Sequence, residues 1–234
     1  MKNHIHLLPW EMEAIEHFEH MMKKKKKPFP CIPAAQGFSL NQFCFGFVSA
    51  LTNDKTIIDV AAMLKEYTFI SSKQGDFTSL IIFFKSEKEN GVAYTVPQYE
   101  CLFWQLLNSL HVLDSSPWPK DIPKDPHHPL WEFCFENERY FVFCATPAHV
   151  YRKSRFFPFF MLAITPRWVL QRFERHHQHA AKIKQAIRKR IEKYDHLPPH
   201  PDLNQYGDKN NFEWKQYFIH DDDTTLNKCP FHPK

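Results

Sequence analysis

The sequence predicts an α+β fold: a mixed, mainly antiparallel sheet of about five strands, covered by helices, in a single domain. Two observations carry this. Strand-length apolar or alternating runs recur along the chain, among them residues 79–85 (SLIIFFK), 130–135 and 140–145, while longer segments keep an apolar stripe at helical spacing. In order, the segments run β-α-β-α-β-β-β-α, and strands that follow one another directly pair antiparallel. With 234 residues, 43% of them hydrophobic, the chain suffices for one sizeable core.

The first helix is expected over residues 8–26, where Trp10, Ala14, Ile15, Phe18 and Met21 or Met22 recur at helical spacing. It ends in five lysines, 23–27, and Pro28. That run reads as a solvated helix end, where cations are favoured, with an acidic surface or a membrane as the alternative contact. The chain thus divides into an N-terminal helical arm, 1–27, and a main domain, 28–234, with a docked C-terminal tail. Residues 29–33 (FPCIP) read as extended, because each proline biases its predecessor away from the helical region. Residues 41–50, with Phe43, Phe45 and Phe47 alternating, form a strand, and Asp54 caps a helix that runs to about Tyr67.

Residues 79–85 are a central strand and 97–113 the next helix, with Tyr99, Leu102, Phe103, Leu106, Leu107 and Leu110 as its core stripe. Trp104 falls off the centre of that stripe and is placed near a pocket. The loop 114–129 holds five prolines and is longer than a mere connection needs. Strands 130–135 and 140–145 follow, joined by a turn at Glu136-Asn137-Glu138. Thr146 as N-cap and Pro147 at N1 then open a short basic helix. After one more strand comes a long helix, 166–194, with Pro166 at N1; it is basic in its second half and carries His176, His177 and His179. The tail has aromatic mass to dock: Tyr206, Phe212, Trp214, Tyr217, Phe218 and Phe231.

Composition excludes several classes. A net charge of +4 from 30 basic and 26 acidic residues is too small and too dispersed to indicate nucleic acid. Five glycines leave no P-loop or dinucleotide fingerprint. Apolar runs fall short of the roughly 20 residues of a membrane span. The six cysteines, scattered without a C-x-x-C pair and with no leader read before them, are expected as reduced thiols of a cytoplasmic protein.

Candidate chemistry centres on residues 126–168. In helical geometry His149, Arg152 and Arg155 share a side. A histidine and two guanidiniums facing one way make a candidate site, against the plainer reading of a capped core or surface histidine. His127 and His128 are either an exposed pair or a distal-pocket or metal pair. His176 and His179 share a face without the Glu of an H-E-x-x-H motif, so they read as solvated. Asp221, Asp222 and Asp223 are either solvated or receive a cation. Cys31 is expected to be structural, since its apolar, proline-flanked surroundings hold no adjacent cation to stabilise a thiolate; iron ligation is the alternative.

Phe29-Pro30-Cys31, Pro117-Trp118-Pro119, the stretch 126–168, Trp214-Lys215-Gln216-Tyr217 and Lys228-Cys229-Pro230-Phe231 together resemble the YqcI/YcgG family, from about Pro28 to the C-terminus. Some proteins resembling that family are haem-dependent N-hydroxylases that oxidise a guanidino nitrogen of arginine-like substrates. The resemblance implies haem b, bound non-covalently, and oxygen chemistry. On this reading His149 is the axial ligand, Arg152 and Arg155 pair with the propionates, and Thr146, Trp131, Phe133 and His128 complete the pocket. In those relatives a His-Pro pair stands where Thr146-Pro147 stands here. Either His149 takes over about one helical turn later, or this branch has lost the chemistry. The expected function is therefore a haem-dependent monooxygenase hydroxylating a nitrogen of a small amine or guanidine substrate. The alternatives are a haem-binding or sensor protein without turnover, and a non-haem metal enzyme using His127, His128 and His149. Expected partners are the small-molecule substrate and an electron donor, without nucleic acid or membrane; a homodimer is compatible with the sequence.

Overall fold

The computed structural model describes residues 7–87, 91, 93–174 and 177–234, with the side chains of 173–179 outside the description. A five-stranded mixed sheet, in the order β1-β2-β5-β4-β3, organises these residues. β1 (Phe43–Val48) and β2 (Ser79–Phe84) pair in parallel, which requires a crossover, and α3 (Asp54–Gln74) supplies it. The other pairs are antiparallel: β2 with β5 (Met161–Pro166), β5 with β4 (Glu138–Ala145), and β4 with β3 (Phe133–Phe135). The β3–β4 connection is a tight hairpin whose Glu136 and Asn137 both have positive φ, 48° and 59°. Two successive left-handed residues match the twist of the flanking strands.

β2 is apolar from Leu80 to Phe84 because it is covered on both sides, and its alternation sorts residues between two cores. Leu80, Ile82 and Phe84 join Leu162 and Ile164 of β5 beneath α3 and α4 (Val96–Leu113). Ile81 and Phe83 join Met161 under α1 (Pro9–Lys23), with Tyr194 of α6 (His177–Asp195). Expected as an arm, α1 is part of this second core: Ala14, Ile15, Phe18, Met21 and Met22 are buried. Phe18 alone meets the rings of Phe38, Phe43, Phe45, Phe83 and Phe157 at centroid distances of 5.6–6.4 Å. The N-caps of α3 and α4 are Asn53, accepting from the Lys55 N–H, and Thr95, whose box is closed by Gln98. Asp54 is thus the first helical residue rather than the cap.

Four expectations are corrected. Residues 29–33 do not stay extended: α2 (Ile32–Ser39) starts within them, with Pro33 in its first turn, where a missing N–H costs nothing. Gly37 in α2 packs so closely that a Cβ there would lie 2.3 Å from the Phe77 carbonyl oxygen. Strand character at 130–135 is confined to Phe133–Phe135. The long helix over 166–194 is two elements, α5 (Arg167–Glu174) and α6, and Pro166 closes β5 instead of opening a helix. No basic helix follows Thr146; residues 147–152 turn irregularly into one 3-10 turn, Lys153–Arg155. The tail docks as expected, through α7 (Trp214–Tyr217), with Trp214, Tyr217, Phe218 and Phe231 buried.

Candidate functional site

The segment 146–155 is held by long-range bonds that a local reading of the sequence cannot weigh. Thr146 Oγ1 accepts from the Ala148 N–H at 3.1 Å, which makes a side-chain turn in place of a helix cap. The Asp221 carboxylate accepts from three successive backbone N–H groups, Val150, Tyr151 and Arg152, at 2.7, 3.1 and 2.9 Å. Those donors would otherwise have had to find partners within a helix.

His149, Arg152 and Arg155 do come close together, and all three are buried. Their side chains are held by the tail and the sheet, although Arg152 Nε has no partner among the described residues. His149 Nε2 donates to the Ile219 carbonyl at 2.8 Å, so its Nδ1 carries the lone pair and accepts from Thr146 Oγ1 at 2.8 Å. Burial, first of all, lowers its pKa to about 4, against the pull of the Ile219 carbonyl and Asp221, and the imidazole is neutral. Arg155 donates to the carbonyls of Cys144, Tyr217 and Gln216, and its guanidinium lies 4.3 Å from the Phe143 ring centroid. Arg152 donates to the Pro198 carbonyl and to Asp223 Oδ1, the latter at 2.7 Å. The group is a clasp that ties this segment to the tail. As arranged, it does not fit haem: no imidazole nitrogen is free for iron and neither guanidinium faces an open space.

The other expected site residues lie apart. Trp131 and Phe133 are wholly buried in the α3/α4 core against Phe231, and Trp104 is there too, beside Trp214 and Tyr217 rather than at a pocket. His128 is exposed and its Nδ1 accepts from the Leu130 N–H; His127 pairs with Asp125. Asp222 caps Thr224. Among the described residues, no three of His, Cys, Asp and Glu are grouped to hold a metal ion. The expected cluster at 176–179 lies outside the described side chains.

The concave site is elsewhere, between α1, α6 and the sheet: a cavity of about 330 Å³, within the range of small-molecule sites. Its walls are apolar, with Phe18, Met21, Phe29, Phe143 and Met161. One stretch of its lining is polar, with Arg167, Glu213, Gln216 and Tyr206. Arg167, at the start of α5, is gripped by two buried carboxylates, Glu132 and Glu213, the latter at 2.5 Å, and its guanidinium lies 4.0 Å from the Tyr206 ring centroid. Burial opposes the charge of Arg167, and the two carboxylates outweigh it and hold the guanidinium ionised. One cation cannot balance two anions. Glu132 is the one left short: burial pushes its pKa up to about 7 despite Arg167, and its Oε2 has no hydrogen-bond partner among the described residues.

Cys31, the N-cap of α2, also lines the cavity. Burial raises its pKa, while the Ala34 N–H and the guanidiniums of Arg155 and Arg190 favour its thiolate. The fold therefore supplies the cations that the neighbouring sequence lacks. All six cysteines are free thiols. A sequence signal for the polar cluster did exist: Glu132 is a charged residue inside the otherwise apolar run 130–135, which demands a buried partner.

An α+β domain with a mainly apolar cavity beside a buried carboxylate–guanidinium cluster is the class that fold and site define. The chain belongs to the YqcI/YcgG family, which residues 18–232 match. It is 43% identical over 222 residues to "Uncharacterized protein YqcI" of Bacillus subtilis (strain 168), covering 95% of this chain and 87% of that one. It is 41% identical to "Uncharacterized protein YcgG" of the same organism, at 95% and 88% coverage. A third relative, at 30% identity over 229 residues and 95% and 84% coverage, is the "Putative N(omega)-hydroxy-L-arginine synthase DcsA" of Streptomyces lavendulae. No solved structure gives a significant match. Among the described residues no helix is long and apolar enough to cross a membrane.

Proposed function

We propose that this protein is an oxidoreductase that hydroxylates a nitrogen of a small guanidine or amine substrate held in the cavity between α1, α6 and the sheet. The observation that carries the reading is the cavity's make-up: dry apolar walls with a carboxylate, Glu213, in its polar lining. Arg167 supports it from within, because two carboxylates and an aromatic face are the groups that recognise a guanidinium. The Streptomyces relative, named for arginine N-hydroxylation, supports the reaction class.

Such a reaction places one oxygen atom of dioxygen on the substrate nitrogen and releases the other as water, consuming two electrons and two protons from a donor. We assign haem b as the oxygen-activating group, which supplies dioxygen activation when bound. Cys31 is the side chain whose chemistry fits that group in the cavity, because its sulfur borders the space while His149 has no nitrogen to give. The apolar walls exclude water, and Glu213 with Gln216 orients a cationic head.

The test is incubation of haem-supplied protein with arginine, agmatine and simple amines under labelled dioxygen and a chemical reductant. A product carrying one labelled oxygen on nitrogen supports the reading. A Soret band without product would instead assign a haem-binding or sensor protein, and a colourless protein with stoichiometric metal would assign a non-haem enzyme.

A further inference from the structure

Beside the cavity, a second hollow of about 700 Å³ opens between α1, the segment 147–158 and the end of α6. Its lining holds Lys24, Lys27, Lys153, His17 and His20, and no acidic residue. Of the carboxylates around it, Asp195 is engaged by the N–H and hydroxyl of Ser154, Asp221 by three backbone N–H groups, and Glu13 on α1 lies 3.6 Å from His17. Lys27 is fixed over the Tyr194 ring at 5.1 Å, with its Nζ 3.3 Å from His196 Nε2. Lys24 and Lys153 are exposed. Between the cations lie apolar side chains in the open: Phe156 is 42% exposed, and Val150 and Tyr151 on the same segment are 66% and 67% exposed. Apolar centres within a charged rim are the anatomy of a protein interface.

We infer that this groove docks an acidic electron-donor protein. The inference rests on the hydroxylase reading, which needs electrons from outside the chain. Charge complementarity selects the partner's sign, since a groove lined by cations accelerates and orients an acidic partner. Position selects its role: Met21 lines both the groove and the cavity, so a docked partner is separated from the cavity by one side chain. A small anion such as a dinucleotide would use the lysines and leave Val150 and Tyr151 uncovered. A protein surface covers both.

The experiment uses the full chain and an acidic plant-type ferredoxin as probe, with affinity measured by calorimetry at low and high ionic strength. Binding should weaken as salt rises. The Lys24→Glu/Lys153→Glu double variant should lose about tenfold or more in affinity at low salt and flatten the salt dependence. A Lys120→Glu/Lys209→Glu control, equal in charge and exposed elsewhere on the surface, should bind as the parent does. Equal losses in both variants, or no salt-dependent binding, would overturn the inference. So would NADPH that excludes ferredoxin and is itself lost in the Lys24/Lys153 variant, which would assign the groove to a dinucleotide. Turnover with a chemical reductant needs no partner, so a failed hydroxylase reading is distinguishable from a failed docking surface.

Discussion

His149 Nε2 donates to the carbonyl oxygen of Ile219 at 2.8 Å, across 70 residues of chain. That bond and the one with Thr146 engage both ring nitrogens, and burial keeps the imidazole neutral where the tail docks.

Acid should therefore loosen the tail. His149 has a folded pKa of about 4 against 6.5 in a free chain, so between those values the unfolded state binds more protons and stability falls as pH falls. At 1.36 kcal/mol per pKa unit the loss is about 3 kcal/mol by pH 4. Urea titrations from pH 7 to 4 should show this slope in the parent and lack it in His149→Gln. An unchanged slope in the variant would remove His149 as its source.

With haem supplied, the protein should develop a Soret band. His149→Ala should lower stability by about 1–3 kcal/mol through the orphaned Thr146 and Ile219 groups and leave the spectrum alone, whereas Cys31→Ser should change the spectral type. Loss of the band in a folded His149→Ala variant would return the axial role to His149.

The Glu132–Arg167–Glu213 cluster carries an asymmetric expectation. Arg167→Met strands two buried carboxylates and should cost about 3–5 kcal/mol. Glu132→Gln relieves an uncompensated charge and should cost about 1 kcal/mol or less at pH 7. Because burial raises the Glu132 pKa from 4.5 to about 7, the folded state binds the extra proton, and stability declines as pH rises through that window. Glu132→Gln should abolish this contribution, as denaturation at pH 5 and pH 8 would reveal.

Phe18→Ala should cost about 3–5 kcal/mol, the range for emptying a large buried aromatic site. The loss tests whether α1 belongs to the core. A cost below about 1 kcal/mol would mean that α1 is dispensable.

Legibility in the sequence followed the range of the forces. Strands rich in Phe, Ile and Val, and the amphipathic α4, declare themselves through periodicity alone. α2 was hidden because Pro30 and Pro33 read as breakers, although Pro33 sits in the first helical turn, which tolerates it. The segment after Thr146 looked like a helix start because its competitor, Asp221, is 70 residues away from the N–H groups it captures. His149, Arg152 and Arg155 were expected on one side of a helix; they are buried instead on an irregular segment that ends in one 3-10 turn. Their role differs because tail carbonyls and carboxylates, invisible to local spacing, had already taken their hydrogen-bonding capacity. The cavity is assembled from segments as distant as Cys31 and Gln216, and only Glu132, in the apolar run that leads into β3, signalled the buried charge nearby.

The Tyr217 hydroxyl accepts from the Phe133 N–H and donates to the Tyr140 carbonyl, while Arg155 caps the carbonyls of residues 216 and 217. The sheet is thus locked by a segment that follows all five of its strands in the chain. A nascent chain whose tail is still inside the ribosome has its strands without their keystone, with Trp131, Phe133 and the β3 edge uncovered. Translation past residue 217, rather than completion of β5, is what makes the two Tyr217 bonds to the sheet available.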